Sequence, residues 1–363
     1  MLNFELDQEQ KMLTDAIGRL AKDRIRKVFR DAEEEGHIPP EVVQAGWDLG
    51  LLPTGIPEDQ GGFGEYSIIT NAIAVEELVF GDLAIAAQIM SPNNVAIPVM
   101  LCGTAAQKES HLPLFCEENA PPVTAAMQEP GLQYDARNLK CTAILADNHY
   151  ILNGKKSLVP LADTAETFLI YVNENGQTQA YFVPADAAGL TVGEREKLMG
   201  MNALPTFTLT LEDVKVPAVN RLGGDEGCDI GLILNHSRVA LGAAAVGLAR
   251  AGYEYARDYA KQRIQFGEPI AHRQSIAFML AEMAIDIDGA RMMMWEAAWL
   301  LDEGREATQE TAVMKHFIDD MVVRVADQAL QILGGYGYIR EYPVELWLRN
   351  ARGFVQWDGL LMV

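Results

Sequence analysis

The chain has 363 residues, of which 49% are hydrophobic and 22% charged, and this composition excludes an intrinsically disordered protein. It carries 29 Lys and Arg against 51 Asp and Glu, a formal charge of −22, which argues against a general nucleic-acid or membrane-surface binder. A small phosphate-bearing ligand held by a few local groups stays compatible with that charge.

The cysteines and the apolar segments favour a cytoplasmic protein. The four cysteines are scattered without a Cys-x-x-Cys pair, so they indicate reduced structural thiols rather than a zinc site or a disulfide framework. The longest uninterrupted apolar run, residues 239–249, is much shorter than the roughly 20 residues that span a bilayer. No basic and then apolar leader precedes Leu2-Asn3-Phe4, so we expect no signal peptide.

Residues 1–122 are predicted to form a helical domain. Asp7 is a candidate N-cap for a helix whose apolar positions follow the helical period, and Pro39-Pro40 opens a second helix. Glycine and proline make residues 57–64 a loop, and the helical pattern resumes at residues 68–78.

The pattern changes twice more along the chain. Residues 123–226 contain short β-prone runs separated by turn signals such as Asn153-Gly154 and Asn175-Gly176, which predicts a middle antiparallel β domain. Residues 227–363 return to helix, and the small residues 242–249 let helix backbones approach closely, as in a buried bundle. The predicted fold class is therefore α+β multidomain, in the order helical, β, helical.

Two segments are candidate ligand sites. Residues 263–270 place an arginine, an aromatic ring and a glycine at a helix end, which suits an anionic, flat ligand such as a nucleotide. An ordinary helix C-terminus is the alternative. Residues 331–338 contain glycines that let a ligand approach the backbone, and a tight turn is the alternative there.

Several motifs in a fixed order connect the chain to a known family. The strongest are residues 259–270 with Gln274, and residues 331–337 with residues 341–345 and Arg349. Further motifs are Pro57-Glu58 with Gly61-Gly62, Glu76-Glu77, Gly103-Thr104, Glu129-Pro130-Gly131, residues 153–156 and residues 212–217. With these motifs the chain resembles the acyl-CoA dehydrogenases over nearly its whole length.

This resemblance implies an architecture and an activity. It implies an N-terminal helical domain, a middle β domain and a C-terminal helical bundle, assembled as a homotetramer or dimer. FAD is expected between the β domain and the bundle. The implied reaction is α,β-desaturation of an acyl-CoA thioester, in which a carboxylate removes the α-proton and flavin takes the β-hydride. An electron-transfer flavoprotein is the implied acceptor.

The resemblance also implies roles for individual residues. Arg263 and Phe266, with Gln274 nearby, are expected at the adenosine-diphosphate part of a neighbouring subunit's FAD. Gln331, Gly334 and Gly335 are expected to complete that cradle, and Gln128 is expected near the cofactor in the β domain. Asn235, Arg238 and Gly359 are expected near the acyl-CoA. Asp358 takes the position of the catalytic glutamate in the family's Tyr-Glu-Gly-Thr segment.

The chain departs from the family around the flavin ring and the thioester. Asp358 is one methylene shorter than the usual Glu, and an ordinary Asp-Gly turn is the alternative reading. Leu158-Val159-Pro160 replaces the family's Trp-Ile-Thr, and Pro160 has no hydrogen-bond donor. These changes leave three hypotheses: an active dehydrogenase with an Asp base, a non-catalytic partner subunit in a hetero-oligomer with a paralogue, and a scaffold that keeps only the fold.

Overall fold

The structure, a computed structural model, describes residues 6–64 and 66–363 and confirms the helical, β, helical order. The expectation on a leader at Leu2-Asn3-Phe4 lies outside these residues. Asp7 caps the first helix as predicted, since its carboxylate accepts from the Gln10 backbone N–H at 2.8 Å. The helices before the sheet are α1 (Gln8–Leu20), α2 (Arg26–Glu35), α3 (Pro40–Trp47), α4 (Leu51–Gly55), α5 (Ile68–Gly81), α6 (Leu83–Ile89), α7 (Asn93–Cys102) and α8 (Ala105–His111).

The middle region forms a seven-stranded sheet and a separate two-stranded ribbon follows it. The strands are β1 (Val123–Ala126), β2 (Thr142–Ala146), β3 (His149–Pro160), β4 (Thr167–Glu174), β5 (Gln177–Pro184), β6 (Leu190–Arg195), β7 (Thr206–Pro217), β8 (Ile264–Gln265) and β9 (Glu268–Pro269). The sheet order is β1-β4-β2-β3-β7-β6, with β5 paired to β4. The sheet is mixed rather than wholly antiparallel, because β1 and β2 both run parallel to β4.

Long helices form the C-terminal region. They are α9 (Ile230–Gln262), α10 (Gln274–Asp302), α11 (Thr308–Leu333) and α12 (Val344–Phe354). The predicted close approach of helices through small residues is confirmed in α9. A Cβ at Gly242 would lie 2.8 Å from Met314 Sδ, and one at Gly247 would lie 2.4 Å from Glu76 O. Helix α9 is therefore the central helix, packed against α5, α10 and α11.

Helix α9 is also long and apolar enough to cross a membrane by length and composition. However, 89% of its most apolar window is buried inside the protein. Its apolar residues belong to the same hydrophobic core as those of α5 and α11. The apolar surface of this helix is therefore buried within the fold.

A buried ion pair fixes the start of the β1–β2 connection. Lys156 on β3 is fully buried, and its Nζ donates to Glu129 Oε1 at 2.9 Å and to Met127 O at 3.0 Å. Glu129 also accepts from the backbone N–H groups of Lys140 and Cys141. Burial lowers the pKa of Lys156, and the contact with Glu129 opposes that effect.

Substituting Lys156 with methionine is expected to reduce the free energy of unfolding by about 3–5 kcal/mol. The substitution leaves the Glu129 carboxylate buried without its cation, which is costly. Denaturant unfolding measures the loss. The matched control is Lys155→Met, because Lys155 is the exposed neighbour on the same strand, and its change is expected to stay within about 0.5 kcal/mol. Equal losses in the two variants would contradict this account.

Candidate active site

A cavity of about 410 Å³ lies at the C-terminal end of α9, where this helix meets the end of α11. Arg263, Gly334 and Gly335 all line it, so the structure brings the two segments singled out in the sequence together. The Arg263 guanidinium lies 5.3 Å from the centre of the Tyr336 ring. Within the described part of the chain, no carboxylate forms an ion pair with Arg263.

The chemistry of this cavity fits the adenosine-diphosphate end of FAD. A cationic guanidinium suits the diphosphate, and the aromatic ring beside it offers a flat apolar surface. Nothing lies within 4 Å of a Cβ built on Gly334 or Gly335, so a ligand can approach this backbone closely. The residues at this end of α9 could therefore hold the distal half of the cofactor.

The other predicted members of this cradle lie beside the cavity. Phe266 is 94% exposed, and its ring faces Arg273, with 5.6 Å between the guanidinium carbon and the ring centre. Gln274 and Gln331 are exposed at the ends of α10 and α11 and do not line the cavity. Their contact with a cofactor stays a prediction. Sequence reasoning missed Tyr259 and Tyr336, although Tyr336 lies between two of the motif's glycines.

A second cluster of predicted residues lies near the N-terminal end of α9. Asp358, in the segment after α12, forms an ion pair with Arg238, with 3.2 Å between Arg238 Nη2 and Asp358 Oδ2. The exposed fractions of the two side chains are 17% and 22%, so the pair is mostly buried but still reachable. The predicted base and the predicted substrate-side arginine are therefore in direct contact.

Gly359 occupies a position that only glycine fits. Its φ is +82°, and a Cβ there would lie 2.1 Å from Met127 Sδ. Its backbone N–H donates to Ser237 Oγ at 3.0 Å. Gln128 is buried beside the same segment, and its side chain donates to Gln356 O at 2.6 Å. The loop after β1 and the segment after α12 therefore pack directly against each other.

Tyr134 joins this cluster from the loop between β1 and β2. Its hydroxyl lies 3.5 Å from the backbone oxygen of Asp358. Burial raises the pKa of Tyr134 well above its ordinary value, and the negative charge of Asp358 adds to the rise. The phenol is therefore a neutral hydrogen-bond donor beside the candidate base.

The side chain of Asn235 is bound by two residues of α11. Its side chain donates to Thr308 Oγ1 at 3.1 Å and accepts from Thr311 Oγ1 at 2.8 Å, so it connects α9 with α11. The structure thus assigns this amide a contact between helices, and its predicted contact with acyl-CoA stays a prediction.

The segment that follows Gly359 is buried in the protein interior. Residues 360–363 are at most 6% exposed. Asn94 on α7 donates to Leu360 O at 2.9 Å, and His236 Nδ1 lies 2.7 Å from Val363 O. Burial lowers the pKa of His236. Helices α7 and α9 therefore hold this segment from two sides.

The β-domain departures noted in the sequence lie at the end of β3. Leu158 has a φ of +51°, and its backbone N–H donates to Glu196 Oε2 at 2.9 Å. Pro160 has no N–H, and its carbonyl accepts from the buried Thr124 hydroxyl at 2.7 Å. The backbone here is thus occupied by contacts within the β domain.

Comparisons with known proteins identify the same family in all three regions of the chain. The N-terminal, middle and C-terminal domain families of the acyl-CoA dehydrogenases match residues 7–119, 124–214 and 230–360. The probable acyl-CoA dehydrogenase YngJ of Bacillus subtilis is 37% identical in an alignment that covers 97% of this chain and 94% of that protein. The Caffeyl-CoA reductase-Etf complex subunit CarC of Acetobacterium woodii is 32% identical, covering 96% and 94%.

A solved structure shows the same architecture. Butyryl-CoA dehydrogenase from Megasphaera elsdenii aligns with a TM-score of 0.88 at 30% identity, covering 97% of this chain and 95% of that one. The resemblance inferred from the motifs and the predicted fold class are both confirmed. The chain belongs to the acyl-CoA dehydrogenase family and is an FAD-dependent oxidoreductase that acts on acyl-CoA thioesters.

Proposed function

We propose that Asp358 is the base that removes the α-proton of the acyl-CoA thioester. The observation that carries this proposal is the contact of Asp358 with Arg238 where α9, the loop after β1 and the segment after α12 meet. Bound FAD would supply the acceptor for the β-hydride. The carboxylate takes the proton, and the surrounding burial limits competing water.

We also propose that each active site is built from two copies of the chain. Arg238 and Arg263 are 25 positions apart along α9, which corresponds to about 37 Å at 1.5 Å per residue. This separation is longer than an extended dinucleotide. The cradle at Arg263 would therefore hold the distal half of an FAD that serves the Asp358 of a neighbouring copy.

An exposed apolar stripe on α10 supports this assembly. Phe278, Ile285, Met292 and Trp299 are each at least 40% exposed, and they recur every seven residues along one face of the helix. A seven-residue repeat of apolar side chains favours packing against another helix. We infer that this stripe contributes to a homodimer or homotetramer.

The remaining assignments also stand as proposals. An electron-transfer flavoprotein is the proposed electron acceptor, because the relative CarC is named as a subunit of a complex with Etf. The protein is proposed to be cytoplasmic. The proposed boundaries between its three domains follow residues 122 and 226. A non-catalytic partner subunit paired with a paralogue is the alternative function, which the substitutions at Leu158 and Pro160 would suit.

The flavin spectrum tests the proposed function. Purified protein is expected to be yellow, and an anaerobic titration with acyl-CoA thioesters is expected to bleach its absorbance in the visible range. Butyryl-CoA and glutaryl-CoA are suitable first probes, because two similar proteins of known structure are named as dehydrogenases of these thioesters. A colourless protein that acquires flavin only with a co-expressed paralogue would support the partner-subunit alternative instead.

A further inference from the structure

We infer that the hydroxyl groups of Ser237 and Tyr134 position Asp358 by holding the peptide unit that follows it. The Gly359 N–H donates to Ser237 Oγ at 3.0 Å, and the Tyr134 hydroxyl faces the Asp358 carbonyl oxygen at 3.5 Å. These two groups bind the N–H and the C=O of the single peptide unit that joins Asp358 to Gly359. This inference rests on the proposed role of Asp358 as the base.

Both hydroxyl groups belong to side chains that pack in or against the hydrophobic core. Ser237 is fully buried on α9, one position before Arg238, which binds the Asp358 carboxylate. Tyr134 packs against the core cluster that includes Met127 and residues of α7. The base is therefore held at three points: its carboxylate by Arg238, its carbonyl by Tyr134, and the following N–H by Ser237.

The short side chain of Asp358 explains why its backbone must be held in place. An aspartate reaches one methylene less far than a glutamate, so its reach depends more on where its backbone lies. A displacement of about 1 Å can reduce a rate by about 100-fold. A peptide unit fixed by two hydrogen bonds limits that displacement. Ser237 and Tyr134 are thus positioning residues that act through Asp358.

Two variants that each remove one oxygen atom test the inference. Ser237→Ala and Tyr134→Phe are each expected to lower kcat about tenfold, with KM little changed, because each loses one hydrogen bond to the peptide. With a thioester deuterated at the α-carbon, the isotope effect on kcat is expected to increase, because a misplaced base slows proton transfer. A purely structural role would not produce that increase.

The chain offers matched controls for both variants. Tyr171 and Ser91 are buried, and within the described part of the chain their hydroxyl groups have no hydrogen-bond partner. Tyr171→Phe and Ser91→Ala are expected to leave kcat and the isotope effect at wild-type values. The flavin content and Tm of the Ser237 and Tyr134 variants are expected to match those of the controls.

The inference would be overturned if the kcat values and isotope effects of the two variants equalled those of the controls. It would also be overturned if lost flavin, or a lower Tm, fully explained the loss of kcat. The Asp358→Asn variant separates this result from the proposed function. If that variant is inactive while the hydroxyl variants behave like the controls, Asp358 remains the base and only the positioning role is wrong. If the Asn variant keeps its turnover, both ideas are wrong.

Discussion

Replacing Asp358 with asparagine is expected to lower kcat by about 10²- to 10⁴-fold, which is the usual contribution of a positioned general base. Asparagine has nearly the same shape, but its amide cannot take the α-proton of the thioester. The measurement is steady-state turnover with the thioester that bleaches the wild-type flavin. Flavin absorbance of the same samples shows whether the cofactor is retained.

Asp319→Asn is the matched control for this substitution. Asp319 is also a partly buried carboxylate in an ion pair, with Lys315 at 2.7 Å, and it lies near enough to Asp358 to feel its charge. Its loss is expected to leave kcat close to the wild-type value. If Asp358→Asn also retains wild-type turnover with its flavin bound, another group is the base.

Two impaired variants are expected to restore activity when their subunits are mixed and FAD is kept too low to fill the weakened site. Arg263→Ala removes the cation of the cradle and is expected to weaken FAD binding about 10- to 100-fold, the value of a charge-assisted hydrogen bond. Asp358→Asn removes the base. In a mixed dimer, one site combines the intact Asp358 of the first chain with the intact Arg263 of the second.

Randomly mixed dimers should regain about a quarter of the wild-type sites, since half of the dimers are mixed and each has one intact site. Turnover after co-expression of differently tagged chains measures this recovery, and purification on both tags in sequence isolates the mixed assemblies. The control is the turnover of each variant expressed alone with both tags. Mixed assemblies that remain inactive would show that cradle and base belong to the same chain.

Much of the fold follows from local sequence patterns. The cap at Asp7 and the small residues of α9 determine where helices begin and how closely they pack, and both are visible in the sequence. Local patterns predict a β domain here but not each of its strands, because runs as short as the four residues of β1 give little periodicity. The parallel pairing of β1 with β4 joins strands about 40 residues apart, and local patterns do not encode such pairings.

The site was predictable to a different extent at its two ends. Arg263, Gly334 and Gly335 lie in motifs with unusual composition, and the structure places them in one cavity. Ser237 and Tyr134 carry no comparable signal. Each becomes informative only when folding brings it to a peptide unit more than 100 residues later in the chain. Contacts of this kind depend on tertiary structure, so the sequence alone could not reveal them.

The continuous helix α9 also restricts how this chain can change length during evolution. A single inserted residue within it would rotate everything downstream by about 100° and shift it by about 1.5 Å. In the proposed two-copy site, the cradle would then point away from the neighbouring copy, although neither arginine had been altered. Insertions and deletions should therefore accumulate in surface turns such as Asn175-Gly176, where nothing crowds the glycine, and should be absent from the span between Arg238 and Arg263.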